Sequence, residues 1–248
     1  MKPALLDNKL HYPDNWQQMP MGERILQLSN AHLSEKCRQF FGYQLVQLGQ
    51  LSCQLDLTCC PIKHQILQTT KACEGSTLVS KATSLPYQEN SIDAFVLAHE
   101  LDFARDPHQI LREVHYALIP EGHVVISGFN PFSLAGLRRL IPLKKHPLLH
   151  QARFFRAARI KDWLQLLGFE ILSDQRFLFA EMLWPKLAES DGRIQRFSER
   201  YLPLLGSVYM IVARKRESTL TMIKPKWQMS RKFSPVGASV QALHRESR

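Results

Sequence analysis

The chain alternates between two kinds of hydrophobic pattern, which predict strands and helices in turn. Short runs rich in apolar residues are typical of buried strands. They predict seven strands, at residues 43–48, 64–69, 76–80, 91–98, 123–128, 169–172 and 207–213. Apolar residues spaced three and four apart predict helices. Such spacing occurs at residues 21–41, 106–118 and 159–167.

The pattern is clearest in the middle of the chain. The apolar run at residues 91–98 is followed by Asp106, a typical helix N-cap, and by Pro107, which suits the first helical position. Residues 120–122, Pro-Glu-Gly, then form a turn into a very apolar strand. Strands that alternate with helices in this way predict an α/β domain with a mainly parallel sheet.

Composition and periodicity divide the chain into three parts. Residues 1–42 form an N-terminal helical extension, and its first 20 residues, rich in proline and polar side chains, are expected to lie over the surface. Residues 43–214 form the α/β domain, with a basic insert at 131–161. Residues 215–248 lack periodicity and are expected to be a disordered basic tail.

Positive charge is concentrated in two stretches. The net charge is +10, and residues 214–248 alone hold nine Lys and Arg against two Glu. The insert at 131–161 holds no Asp or Glu and eight basic residues, namely Arg138, Arg139, Lys144, Lys145, Arg153, Arg156, Arg159 and Lys161. Such stretches favour an anionic partner, either nucleic acid or an anionic lipid surface.

The cysteines and the N-terminus indicate the compartment. The five cysteines are odd in number, and no signal peptide or transmembrane segment is evident. We therefore expect reduced thiols and a cytoplasmic location. No His and Cys residues show zinc-finger spacing, so no metal site is predicted.

A set of motifs in the middle of the chain suggests a family. Leu85-Pro86, the strand entered through Asn90-Ser91, Asp106-Pro107, Leu111-Arg112-Glu113 and the turn ending at Gly122 resemble class I S-adenosylmethionine-dependent methyltransferases of the type 11 domain family. The resemblance covers about residues 43–214 and is strongest at 85–128. It extends to an uncharacterised bacterial branch with His-Glu-Leu-Asp-Phe at 99–103.

This resemblance implies a fold, a cofactor and a site. The fold is a doubly wound, Rossmann-like, seven-stranded sheet, and the cofactor is S-adenosylmethionine. Ligands of such sheets bind at the carboxyl ends of the strands, where the strand order switches. The residues that the resemblance places beside the cofactor are Gly49, Gln50, Lys81, Ala82, Thr83, Ala98 and His99.

Three positions depart from the family pattern. The glycine motif after the first strand keeps only Gly49, with Leu51 and Cys53 in place of the later glycines. No acid ends the second strand, where the sequence reads Gln-Thr-Thr at 68–70 and the nearest carboxylate is Glu74. Lys81 stands where the family places an aspartate, and lysine cannot accept a hydrogen bond. Each lost polar contact would lower cofactor affinity.

Several polar residues near the predicted site have two interpretations. His99 is either a general base that faces cofactor or substrate, or a structural residue. Glu100 and Asp102 are expected to lie in a solvated loop or helix cap, and Asp93 to stabilise the entrance of its strand. Asn130-Pro131 is similar to a motif of amino-methylating enzymes, but it follows a different strand.

Two functions follow from these observations. The first is a methyltransferase of unidentified substrate, for which the basic stretches favour an anionic acceptor, with His99 as the catalytic residue. The alternative is a catalytically inactive, methyltransferase-like protein that binds nucleic acid or another anionic partner. An open cleft at Leu51 favours the enzyme, whereas a cleft filled by Leu51, Cys53 and Lys81 favours the binding protein.

Overall fold

The computed structural model describes residues 12–73, 75–133, 152–178 and 206–217. They belong to one compact unit that spans residues 1–217, and residues 218–248 lie outside the described part. The strands are β1 Gln44–Leu48, β2 His64–Thr69, β3 Leu78–Val79, β4 Ile92–Ala98, β5 Leu118–Phe129, β6 Phe169–Phe177 and β7 Val208–Lys215. The helices are α1 Gly22–Cys37, α2 Glu100–Phe103, α3 Pro107–Ala117 and α4 Ala157–Leu166.

The seven strands form one sheet in the order β3-β2-β1-β4-β5-β7-β6. Strand β7 runs antiparallel to both β5 and β6, and the other neighbouring pairs are parallel. The predicted mainly parallel, seven-stranded sheet is therefore confirmed. The strand order reverses between β1 and β4, so a crevice is expected where these two strands end.

The apolar core lies in two layers, one on each face of the sheet. The N-terminal segment and α1 cover one face, where Ile25 and Leu33 pack against Leu45 of β1. Helices α3 and α4 cover the other face, where Ile110 and Ile160 pack against β-strand residues. No helix in the described residues is both long enough and apolar enough to cross a membrane.

The connections after β1 and β2 differ from the usual βαβ unit. Within the described residues between β1 and β2, the only helical element is a 3₁₀ turn at Ser52–Gln54. The connection to β3 has no helix among its described residues either. Helix α1 ends at Cys37 rather than at residue 41, and Phe41 is exposed. The face of the sheet under α1 is thus covered by residues that precede β1, and not by a helix between β1 and β2.

Asp93 has the structural role expected of it. Its Oδ2 accepts hydrogen bonds from the backbone N–H groups of Tyr43 and Gln44, at 2.9 and 2.8 Å. A Cβ on Gly42 would lie 2.2 Å from the Asp93 carboxyl carbon, so only glycine fits beside it. The carboxylate thereby joins the beginnings of β1 and β4.

Lys215 is the last residue of β7 instead of the first residue of the tail, and it is almost fully buried. Its Nζ donates to the carbonyl oxygens of His115 and Leu118, at 3.0 and 2.8 Å, and to Asn90 Oδ1 at 2.8 Å. It also pairs with Glu217 at 2.9 Å. A lysine here satisfies carbonyl groups that the end of α3 leaves without partners.

Replacing Lys215 by methionine should lower the free energy of unfolding by about 3 kcal/mol, because the buried ammonium group and its three hydrogen bonds, one of them to a buried carbonyl oxygen, are lost. Urea denaturation measures the change. The matched control is Lys161→Met, which removes a partly exposed ion pair to Asp174 and should lower stability by less than about 1 kcal/mol. Equal losses in the two variants would contradict the capping role of Lys215.

Candidate active site

The carboxyl ends of β1 and β4 are joined by one hydroxyl group. Ser52 Oγ donates to the carbonyl oxygen of Leu48 at 2.6 Å and accepts from the backbone N–H of Ala98 at 2.7 Å. All three residues are buried. The predicted site residues Gly49, Gln50, Ala98 and His99 are therefore brought to one edge of the sheet, as expected from the switch in strand order.

The loop after β1 accommodates its two departures from the glycine pattern. Leu51 is fully buried in the apolar core under α1, and its carbonyl oxygen accepts from Trp16 Nε1 at 3.0 Å. The thiol of Cys53 is half-buried and lies 3.5 Å from the carbonyl oxygen of Gln47. The side chain of Leu51 thus contributes to the hydrophobic core.

At Gly49 the backbone of the loop after β1 comes close to the side chains of Glu100 and Tyr12. Its φ is +97°, a conformation that favours glycine. A Cβ at this position would lie 2.1 Å from Glu100 Oε2 and 2.7 Å from the Tyr12 hydroxyl oxygen. Any larger residue would therefore collide with the two polar side chains that face the loop.

Lys81, Ala82 and Thr83 lie in a turn directly after β3, closed by a hydrogen bond from the Ser84 N–H to the Lys81 carbonyl oxygen. Lys81 is exposed, Ala82 is buried and Thr83 is half-buried. At the end of β2, the buried Gln68 donates to Ser80 Oγ at 2.5 Å and accepts from the Tyr87 hydroxyl at 2.7 Å. Residues 68–70 include no acid, and Glu74 lies outside the described residues, but the Asp14 carboxylate of the N-terminal segment lies 3.7 Å from Lys71 Nζ, just beyond β2.

His99 combines backbone strain with an unmet hydrogen-bonding group. It is fully buried with φ +55° and ψ +13°, a left-handed conformation that is uncommon for a residue with a side chain. Its Nδ1 lies 2.9 Å from Asp102 Oδ2, which also accepts from the Phe129 N–H at 2.9 Å. Its Nε2 has no hydrogen-bond partner among the described residues. Strain of this kind points towards a functional role.

Of the two expectations for Glu100 and Asp102, the solvated loop was wrong, since both residues are buried in the first turn of the short helix α2. Glu100 is 5% exposed and Asp102 is fully buried, because α2 turns inwards between the sheet and the N-terminal segment. Burial raises the pKa of Glu100 to about 7, and the adjacent Tyr12 hydroxyl acts in the opposite direction. Burial also raises the pKa of Asp102, partly offset by its hydrogen bonds to His99 and Phe129. The sequence around them carries no local signal of this burial.

The N-terminal segment supplies two site residues that the sequence reasoning missed. Trp16 is 1% exposed, so it does not lie over the surface, and its ring meets the His99 ring edge-on at 5.7 Å. The Tyr12 ring packs edge-on against Phe103 at 5.5 Å, and its hydroxyl lies 3.5 Å from the carbonyl oxygen of Ala98. Two aromatic residues in an otherwise polar stretch were the available signal.

Arginines lie beside the same edge, at the beginning of α4. The backbone N–H of Arg153 donates to the carbonyl oxygen of Asp102 at 2.7 Å, which ties this segment to α2. The guanidinium of Arg156 lies 4.1 Å from the centre of the Phe132 ring, and that of Arg159 lies 5.1 Å from the Trp163 ring. The basic residues Arg138, Arg139, Lys144 and Lys145, like the C-terminal tail, lie outside the described residues.

Comparison with known proteins identifies the family. Residues 41–126 match the family described as "Methyltransferase domain". The chain is also 34% identical over 245 residues to the uncharacterized protein YafS of Escherichia coli K12, which covers 97% of this chain and 98% of that protein. The chain belongs to the methyltransferase domain family, in the group that contains YafS. It is a class I methyltransferase whose cofactor is S-adenosylmethionine.

Solved structures agree with this fold. A methyltransferase from Thermotoga maritima is 19% identical, covers 78% of this chain and 91% of its own, and has a TM-score of 0.54. One from Archaeoglobus fulgidus is 20% identical, covers 77% and 94%, and scores 0.53. The [4+2]-cyclase SpnF is 18% identical, covers 86% and 88%, and scores 0.52. The same fold therefore carries more than one chemistry, and the methyl acceptor must be argued from the site.

The buried polar atoms of α2 and its N-cap fit a cationic cofactor. His99 Nε2, Glu100 Oε2 and Asp102 Oδ1 are all buried and lack a hydrogen-bond partner within the described ranges. Groups of this kind are rare in folded proteins unless a ligand or water meets them. S-Adenosylmethionine carries a sulfonium and an ammonium charge, which suit an acidic lining. Gly49, Ala98 and Glu100 would hold it, and when bound it supplies the activated methyl group.

Proposed function

We propose that this methyltransferase transfers the methyl group to an anionic acceptor at the carboxyl edge of β1, β4 and β5, with His99 as the general base. One observation supports an anionic acceptor. Arg156 and Arg159 lie at this edge and form no salt bridge within the described part of the chain. Unpaired guanidinium groups bind phosphates and carboxylates through pairs of parallel hydrogen bonds.

The orientation of α4 supports this location. Strand β7 is antiparallel to both β5 and β6, so β6 runs in the same direction as β5. Helix α4 leads into β6 and therefore begins at the carboxyl edge of the sheet. Arg156 is the N-cap residue of α4, and no acidic side chain stands in its first turn. The helix dipole adds partial positive charge there. Both effects favour an anion in front of the site.

The His99–Asp102 pair is suited to proton transfer. The acceptor atom must lose a proton as it gains a methyl group, and a neutral imidazole can take that proton. With Nδ1 donating to the Asp102 carboxylate, the lone pair of His99 lies on Nε2, the atom left without a partner. Asp102 holds the ring in this orientation and stabilises the imidazolium that forms.

The charges of the site are arranged in two zones. Glu100 and Asp102 lie inside, where the cationic cofactor binds in this proposal, and Arg156 and Arg159 lie near the rim. The acceptor therefore meets positive charge first, and the methyl donor meets negative charge. This separation would favour an anionic acceptor over a cationic one through electrostatic complementarity.

An acceptor screen tests the proposal. Radiolabelled S-adenosylmethionine and the purified protein are incubated with cell extract divided into small anions, nucleic acid, lipid and neutral or cationic compounds. We expect label in one of the three anionic fractions, and the fraction identifies whether the shared anionic group belongs to a small molecule, an RNA or DNA, or a lipid headgroup. Label only in neutral or cationic compounds would contradict the proposal.

The double variant Arg156→Gln, Arg159→Gln should raise KM for that acceptor at least tenfold with little change in kcat, since it removes ground-state binding. Steady-state kinetics at two salt concentrations measure this, and the effect should shrink at high salt because Arg156 is exposed and Arg159 is partly exposed. Lys161→Gln is the control, since Lys161 is already paired with Asp174. An unchanged KM would exclude these two arginines from acceptor binding.

A further inference from the structure

Glu100 is a buried carboxylate without a positively charged partner. Among the described residues it forms no salt bridge, and its Oε2 has no hydrogen-bond partner. The same oxygen lies against the backbone of Gly49. A buried charge that lacks a partner is unfavourable, and natural proteins rarely keep one without a functional reason.

The described groups around Glu100 include no cation, and the Tyr12 hydroxyl is its hydrogen-bonding neighbour. The titratable groups that act on this part of the site are Tyr12, Cys53 and Asp102, with His99 beside Asp102. Burial and the Glu100 carboxylate raise the pKa of Tyr12 well above its usual value, so its phenol keeps its proton and can donate. No lysine or arginine is among these groups. The site therefore has a place for a cation that the described chain does not fill.

We propose that Glu100 and Tyr12 bind the cationic amino group at the amino-acid end of S-adenosylmethionine. The inference rests on cofactor binding at this edge, as in the proposed function, and adds which residues recognise which part of the cofactor. Three observations carry it: the unpartnered carboxylate oxygen, its position against Gly49, and the Tyr12 hydroxyl beside the carbonyl oxygen of Ala98. Neither Tyr12 nor its segment belongs to residues 41–126 that match the family.

This arrangement accounts for the departures in the loop after β1. The loop keeps one glycine, and β2 ends on Gln-Thr-Thr at 68–70 instead of an acid. A charge-assisted hydrogen bond from an ammonium group to a buried carboxylate is stronger than a neutral one. The contact of Glu100 with the amino-acid end of S-adenosylmethionine thereby contributes binding free energy that the missing contacts do not provide.

The proposal makes cofactor binding depend on pH. Because the pKa of Glu100 is raised to about 7, the carboxylate is mostly protonated below that pH and cannot attract a cation. Apparent affinity scales with the fraction of protein in the binding-competent state. Affinity for S-adenosylhomocysteine should therefore fall by about tenfold for each pH unit below 7 until it reaches that of a neutral side chain at this position, and it should level off above pH 8.

Three ligands and the Glu100→Gln variant of the full chain test the proposal by calorimetric titration at pH 8. S-Adenosylmethionine has both the amino group and the sulfonium charge, S-adenosylhomocysteine has only the amino group, and 5′-methylthioadenosine has neither. We expect Kd for the first two to rise about 10- to 100-fold in the variant, and Kd for the third to change less than about threefold. Tyr12→Phe should produce a smaller loss for the same two ligands.

Two results would overturn the proposal. Equal losses for all three ligands would show that Glu100 only supports the fold of the site. A loss for S-adenosylmethionine much larger than that for S-adenosylhomocysteine would assign the carboxylate to the sulfonium instead. If the variant fails to fold, the pH dependence of the unmodified protein decides, since 5′-methylthioadenosine binding should not follow the titration near pH 7. These binding results do not involve the acceptor, so the proposed function stands or fails separately.

Discussion

Replacing His99 with asparagine is expected to lower kcat for methyl transfer by roughly 10²–10⁴-fold, the usual contribution of a general base. Asparagine tolerates the left-handed backbone conformation at this position better than most residues, so the turn after β4 should persist. The variant removes Nε2, the atom that would take the proton of the acceptor. Affinity for S-adenosylhomocysteine should stay within a few-fold, because His99 acts on the acceptor in this account.

Two further variants separate proton transfer from structural damage. Asp102→Asn should reduce kcat by a similar order, since the amide no longer holds the imidazole with Nδ1 as the donor. His123→Asn is the control, because this histidine stacks on Phe40 in the middle of β5, six residues before the carboxyl end of the strand. If His99→Asn retains the full kcat for the identified acceptor, the assignment of His99 as the base is wrong.

Replacing Gly49 with alanine is expected to raise Kd for S-adenosylhomocysteine by about 100-fold, which corresponds to roughly 2.7 kcal/mol. The new Cβ would lie 2.1 Å from Glu100 Oε2 and 2.7 Å from the Tyr12 hydroxyl. Both side chains must move, and their new positions reduce the space in front of the loop. Calorimetric titration of the folded variant measures the loss.

Gly75→Ala is the matched control for this substitution. Gly75 also has a positive φ, +83°, but a Cβ there would meet no atom within 4 Å. Backbone strain should cost each alanine variant about 1 kcal/mol of stability, and Gly49→Ala should lose more because its Cβ also displaces two side chains; urea denaturation measures both losses. Only Gly49→Ala should lose ligand affinity. Equal affinity in both variants would place the cofactor away from Gly49.

Much of the fold could be predicted because its signals are local. Strand β2 has the bounds that the apolar run predicts, and β4 differs from its run by one residue. Asp106 caps α3 by accepting from the Gln109 N–H, as its position before Pro107 indicates. These features follow from side-chain periodicity and capping chemistry, which a short window of sequence contains.

The inner part of the site depends on contacts between distant residues. Tyr12 reaches the carbonyl oxygen of Ala98 across 86 positions, and Trp16 reaches that of Leu51 across 35. The burial of Glu100 and Asp102 results from this packing and from the way α2 turns inwards, so their own sequence neighbours do not reveal it. Tertiary packing thus outweighs the usual preference of carboxylates for the surface. The buried polar atoms that lack a hydrogen-bond partner in the described residues mark where a bound ligand would supply one.

The most direct test of the account is a crystal structure of the protein with S-adenosylhomocysteine. We predict that the ligand lies at the carboxyl edge of β1 and β4, with its amino-acid end between Gly49, Glu100 and the Tyr12 hydroxyl, and with His99 Nε2 facing the side from which an acceptor enters. A ligand bound elsewhere on the chain, or an unoccupied edge in crystals grown with saturating ligand, would contradict it.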